Sequence, residues 1–286
     1  MTENVVNNIV TCKNCGHTFS GKYCNLCGEK VYTLRDKKVW YLLEEVTHFI
    51  THFEGTLLNT FKVVATQPGK LSLDYCDGIR KKYFKPVSFF LLLVVIYLFF
   101  PVFESLNQRL EYYLHNPLYG NFAISKIESL QKSSGLSFNQ ISEIFHEKGE
   151  KISKFLLLIL LPFSAIFLQL LLYKKRRLFF DHFIFATEIN IFFLLWGFLL
   201  FPLLLRLLQY IIIFLAGQPF LFSDWLAGLV IFGVVAIYIT RAAKRFYLLK
   251  TGPAILLSVI FMIYYFAFIQ FIYKFILFLV VLTQMH

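Results

Sequence analysis

The stretch FLLLILLPFSAIFLQLLLYKKRR, residues 155–177, decides the fold. Residues 155–173 carry no charge, and four cations, Lys174, Lys175, Arg176 and Arg177, follow at once. About 20 apolar residues in a helix cross the ~30 Å hydrocarbon core of a bilayer. Cations directly beside such a run fix which end stays on the cytoplasmic side.

The rest of the chain has the same character. Of 286 residues, 58% are hydrophobic and 16% charged, and 35 are Phe. Globular domains have about 45–50% apolar and ~25% charged residues. A soluble core cannot hide this much apolar surface, so lipid is the expected solvent. Disorder, collagen and a disulfide scaffold are excluded. The net charge of +11 would suggest nucleic acid in a soluble domain. Here the cations cluster beside apolar runs, where they orient spans, so nucleic acid is not an expected partner.

Working outward, further spans are expected at 87–103, 183–201, 225–240 and from 253 to 273 or beyond. With 155–173 these make about five. The apolar pattern after 201 continues past Pro202 to about 216, with Arg206 inside it. It reads as a kinked extension, a re-entrant or interfacial helix, or a further span. With the N-terminus inside, clusters 80–85, 174–177 and 241–250 all fall on the cytoplasmic side. Residues 104–153, roughly 203–223, and the C-terminus fall outside. A sixth span would put 241–250 outside and break the rule. The expected location is the inner membrane, and no cleavable signal peptide is expected, because residues 1–30 lack an apolar core.

Those thirty residues hold Cys12, Cys15, Cys24 and Cys27 in two CxxCG turns. Paired thiolates at this spacing converge on one metal, giving a closed Cys₄ zinc ribbon with structural Zn²⁺. The spacer, with Phe19, Gly21 and Tyr23, suits a β-hairpin between the turns. Zinc-bound thiolates imply a reducing compartment, which agrees with the basic clusters. Cys76 stands alone, as a small interfacial residue or a reactive thiol.

Residues 31–86 link the ribbon to the bundle. From about 36 to 65, Leu42, Leu43, Val46, Ile50, Phe53, Leu57 and Phe61 share one helical face. Charges interrupt it too often for a span, so an amphipathic helix on the membrane or under the bundle is expected. Pro68-Gly69 ends it, and a polar, basic stretch runs to Pro86. The domains are therefore 1–30, 31–86 and 87–286, the last with an extracytoplasmic insert at 104–153.

Residues 12–28, then Pro68-Gly69, Tyr75, Gly78-x-Arg80, Tyr83 and Pro86 ahead of several spans, form an order that resembles a bacterial membrane-protein family of unknown function. Its members carry an N-terminal Cys₄ zinc ribbon before a polytopic domain. They also carry an acidic-His pair at the start of a later span, where this chain has Asp181-His182. The resemblance implies an all-α polytopic membrane protein and names no reaction.

Two constellations could carry chemistry. Arg80, Lys81, Lys82 and Lys85 with Tyr75 and Tyr83 form an interfacial anchor, or a pocket for an anionic headgroup or phosphate. His48 and His52, one turn apart on a face with Glu44 and Glu45, could meet Asp181, His182 and Glu188 at one depth. That set would suit metal, proton or phosphate chemistry, or be separate solvated residues. Glu188 is too costly to expose to lipid. It is expected to face the interior with His182, within reach of His48, His52 or Arg80, and Glu188→Gln to impair function more than folding. No Walker, GxSxG, Rossmann or haem motif is present.

Two readings follow. In one, the ribbon is a docking or regulatory module on a bundle that organises or gates a partner, a lipid or a small pore. In the other, the His/Glu/Asp centre makes the chain a membrane-embedded enzyme or transporter. Anionic lipids on the cytoplasmic side and a protein bound through the ribbon are the expected partners, and a homo-oligomer is compatible with the sequence.

Overall fold

The structure, a computed structural model, describes residues 9–12, 15–27, 55–99, 108–176, 178–217 and 223–285. The chain divides into two compact units, residues 1–55 and 56–286. His48, His52 and most of the expected amphipathic helix lie outside the described residues.

In the first unit, β1 (Ile9–Thr11) pairs antiparallel with β2 (Thr18–Ser20), Val10 facing Phe19. The hairpin therefore does not lie between the two CxxC turns. The first turn is its tip, closed by Cys12 N–H donating to the His17 carbonyl at 2.8 Å. Gly16, at φ 73°, takes the left-handed conformation that this reversal requires.

The second unit is helical. Residues 55–66 form α1, and Gln67, Pro68 and Gly69 turn the chain into the short α2 (Lys70–Cys76). Then come α3 (Pro86–Phe99), α4 (Leu110–Leu114) and α5 (Gly120–Ser134). Four long helices follow: α6 (Phe138–Leu172), α7 (Phe179–Leu215), α8 (Asp224–Phe246) and α9 (Thr251–Thr283). Each of the four is long and apolar enough to cross a membrane. The expected first span is shorter in the described part, 14 residues from Pro86. It runs alongside α7 to the level of Phe198, which Tyr97 meets edge-on at 5.2 Å.

Of the expected apolar face, Leu42, Leu43, Val46, Ile50 and Phe53 lie outside the described residues, Leu57 packs partly buried against the core, and Phe61 does not follow it. Thr60, Val63 and Val64 are buried and Phe61 is exposed. The burial of Thr60 has a polar cause. Thr60 Oγ1 accepts the Phe84 N–H at 2.8 Å, so this face must meet the chain entering α3.

The helices overshoot the expected spans. α6, α7 and α9 have 35, 37 and 33 residues, about 50–55 Å at 1.5 Å per residue. Residues 203–217 are thus a continuation of α7, with no break at Pro202. The second half of the expected insert is the start of α6. Ser137 caps it in a reciprocal box with Gln140, just after Gly135 ends α5 at φ 68°. This start packs on the end of α9 and on α4. Tyr113 meets Phe145 at 5.1 Å and Phe278 at 5.9 Å, and Lys148 Nζ donates to the Gln284 carbonyl.

All three overlong helices leave α geometry at one level. α6 has a 3₁₀ turn at Leu157–Ile159, and α7 and α9 have π turns at Leu194–Leu200 and Phe268–Tyr273. Each lies about 20–26 Å along its helix from the end carrying the basic residues. Contacts join them laterally: Phe163 lies 4.8 Å from Phe268, and Phe193 5.0 Å from Tyr265.

Candidate functional site

The opposite end of the bundle gathers the cations. Arg80, Lys81, Lys82 and Lys85 precede α3, Lys174, Lys175 and Arg176 follow α6, and Arg241, Lys244, Arg245 and Lys250 flank the α8–α9 turn. At this end, α2 lies against α7 and α8.

The join is made by Glu188, fully buried in α7. Its Oε1 accepts the Gly69 N–H at 2.7 Å and the Tyr238 hydroxyl at 3.0 Å. Its Oε2 accepts the Ser72 N–H at 2.8 Å and the Ser72 hydroxyl. The first N–H groups of a helix have no partner within it. A carboxylate satisfies two of them here and sits where the helix dipole favours negative charge. The two backbone N–H groups, one on each oxygen, can only donate and so need acceptors there, while the Ser72 and Tyr238 hydroxyls can donate or accept. Tyr238 is held by stacking on Phe192 at 3.7 Å.

Gly69 lets the two chains approach. Its φ is 77°, and a Cβ there would lie 2.5 Å from the Ala242 carbonyl oxygen. Beside it, Arg245 donates to the Pro68 carbonyl at 2.8 Å.

His182, also buried, has both ring nitrogens engaged. Nε2 lies 2.9 Å from the Arg176 carbonyl, which can only accept, so Nε2 carries the proton. Nδ1 of the neutral ring then accepts from the Tyr247 hydroxyl at 2.7 Å. That leaves no lone pair for a metal. Arg176 ties the surface together: its guanidinium lies 3.6 Å from Asp181, 3.7 Å from Asp77, and 4.1 Å above the Phe246 ring.

Arg80, a sequence candidate for the partner of Glu188, is not among its partners. It is exposed, lies over Tyr75 and Phe180 at 5.1 and 5.5 Å, and donates to the Tyr75 carbonyl at 3.3 Å. Tyr83 is buried and donates to Asp74 at 2.5 Å, so its hydroxyl is committed, and burial raises its pKa. Lys81, Lys82 and Lys85 are exposed. Gly69, Ser72, Tyr238 and Tyr247 do the holding and were missed in the sequence. The Pro68-Gly69 turn was the only signal for any of them.

Burial and the neighbouring Asp181 push the Cys76 thiol up to about 12. At pH 8 a thiolate fraction on the order of 10⁻⁴ follows. Cys76 is therefore expected to resist maleimide, with a labelling rate that rises tenfold per pH unit toward about 12. Rapid labelling at pH 7 in the folded protein contradicts this placement.

In the first unit the sulfurs of Cys12, Cys15, Cys24 and Cys27 lie within 4.8 Å of one another. Cys12 and Cys27 are 3.5 Å apart, and Cys15 and Cys24 3.7 Å. A tetrahedral site with metal–sulfur bonds of ~2.3 Å puts its sulfurs ~3.8 Å apart. The four cysteines can therefore hold one metal ion.

Among protein families, one described as a protein of unknown function (DUF3667) matches residues 54–98. The matched stretch takes in α1, the Pro68-Gly69 turn, α2 and α3. No curated protein and no solved structure matches the chain.

Proposed function

We propose that this chain is a non-enzymatic membrane scaffold of the inner (cytoplasmic) membrane. A cytoplasmic Cys₄ zinc ribbon serves as its docking or regulatory module, and the bundle organises or gates a partner or a lipid. The observation that carries this reading is the surface of the ribbon. Four thiolates complete a metal shell and leave no open position for chemistry. Around them Ile9, Tyr23 and Leu26 are 78, 61 and 69% exposed, an apolar set suited to a protein partner. The bundle's buried ionisable groups support the same reading: Glu188 and His182 spend their hydrogen-bonding capacity on the protein itself.

The Cys₄ set favours Zn²⁺, since soft thiolates in tetrahedral array select it. Purified protein is expected to carry about one zinc per chain. Cys12→Ser with Cys24→Ser removes it and abolishes photo-crosslinking from position 26 to a partner, while the bundle still inserts. Unchanged crosslinks without zinc would refute the docking role. Proteoliposomes of the full chain should be no leakier than empty ones. An ion flux that Glu188→Gln abolishes in folded protein would establish the transporter reading instead.

In this reading the N-terminus is cytoplasmic and the C-terminus outside, and the basic clusters at one end of the bundle support it. Single cysteines near 125 and 246 should then be labelled from opposite sides. Labelling of both from one side overturns the topology.

A further inference from the structure

Two clefts open at the basic end and share Arg241 and Lys244. One, of about 440 Å³, lies between α8 and α9, with Ile237, Ile255 and Val259 among its walls. The other, of about 590 Å³, is bounded by Pro68, Leu73, Arg245 and Leu248. Polarity changes along the first cleft in one direction. Arg241, Lys244 and Thr251 stand at its mouth, near the ends of both helices. Ile237 lies about 10 Å below Lys244, and Val259 about 12 Å below Thr251, at 1.5 Å per residue. Charge at the mouth over an apolar wall one to two turns deep is the polarity gradient of a phospholipid.

The chemistry of the mouth selects an anion. No acidic side chain lines either cleft among the described residues. The hydroxyls of Thr240 and Ser258 are spent on the Ala236 carbonyl, at 2.9 and 2.8 Å. Polar recognition therefore falls to the cations. Lys244 uses one donor on Thr251 at 2.9 Å and has two left. Arg241 is exposed and has no partner among the described residues, so its whole fork is free for a phosphate.

Leu248, which borders the second cleft, bears on how this end of the bundle meets lipid rather than on the α8–α9 cleft itself. It is the one non-glycine residue with positive φ among the described residues, at 54°, and it is 83% exposed. A strained backbone that presents a leucine outward beside basic residues suits insertion into lipid.

We propose that this cleft binds one anionic phospholipid. Its phosphodiester sits between Arg241 and Lys244, and an acyl chain lies along Ile237, Ile255 and Val259. The proposal does not depend on the ribbon's role; it rests on the reading that the bundle organises a lipid and names the site and the lipid class.

The test uses the full chain in nanodiscs of phosphatidylcholine with a minor share of phosphatidylglycerol, the retained lipid being read by native mass spectrometry. Wild type is expected to enrich phosphatidylglycerol. Arg241→Gln with Lys244→Gln should reduce the enrichment about tenfold. Lys81→Gln with Lys82→Gln, which removes the same charge at the same end, should leave it intact. Ile237→Trp, which fills the cleft and keeps the cations, should also reduce retention. Equal losses in the two charge variants would mean bulk attraction and overturn the site. Displacement of the lipid by inorganic phosphate alone would make it a soluble-anion site and overturn the lipid assignment. Should the double Gln variant fail to fold, Ile237→Trp decides alone, and undiminished retention there refutes the proposal.

Discussion

Gly69→Ala is expected to leave little folded protein. A side chain in the left-handed region costs about 1–2 kcal/mol. The added Cβ would also lie 2.5 Å from the Ala242 oxygen and 2.8 Å from its Cα. Both are backbone atoms of a packed helix, so the overlap is relieved only by prising α2 from α8. Overpacking of this kind costs about 1–3 kcal/mol more. Gly78→Ala is the matched control. Gly78 has φ 96° and nothing within 4 Å of its added Cβ, so it meets the conformational cost without the collision. The yield of monodisperse protein and its unfolding midpoint in mild detergent should fall much further for Gly69→Ala. Equal losses would mean that α2 is not clamped beneath α8.

Glu188→Gln is the second large effect, and it acts on folding. Each carboxylate oxygen faces a backbone N–H, Gly69 on one side and Ser72 on the other. The hydroxyls of Ser72 and Tyr238 can rotate, but the amides cannot. Whichever way a glutamine turns, its NH₂ confronts an N–H donor in a fully buried site. The loss of a charge-assisted bond and a donor left unsatisfied cost roughly 2–4 kcal/mol. The sequence alone led to the expectation that Glu188→Gln impairs function more than folding; the four bonds to Glu188 lead to the opposite prediction. Tyr238→Phe removes one donor of four and should cost only about 1 kcal/mol. A Glu188→Gln protein that unfolds with wild-type stability would refute the clamp.

The membrane character, the metal-capable cysteines and the grouping of cations were legible because each is a local pattern. Nineteen uncharged, mostly apolar residues before a KKRR run, or paired cysteines with two residues between them, are decisive without any fold. The partners of Glu188 were not legible, because they come from 119, 116 and 50 residues away. The expectation that a cation must offset a buried carboxylate led to Arg80. The alternative, the N–H groups at the start of a helix, leaves no trace in residue type. Span limits failed for a related reason. Ten of the sixteen residues 138–153 are polar or charged, so hydropathy places them outside the membrane, yet helix continuity carries them straight into the span. At the end of α1, Phe61 is exposed and Thr60 is buried, because Thr60, a residue that periodicity counts as polar, meets a backbone amide of the loop before α3.

The coincidence of the irregular turns in α6, α7 and α9 has a mechanical meaning. The bending stiffness of a bundle of rods is set by its weakest cross-section. An α turn resists flexing because every carbonyl along it is tied four residues ahead, and 3₁₀ and π turns relax that regularity. Had the three turns been staggered, each would have been splinted by intact neighbours. Because they fall at one level, the three yield together, and the splint is left to the regular helices α8 and α3, which reach the π turn of α7 through Ile231 beside Gly197 and Tyr97 on Phe198. Resistance to bending at that level therefore rests on α3 and α8, between the layer that holds Glu188 and the layer around Tyr113, Phe145 and Phe278.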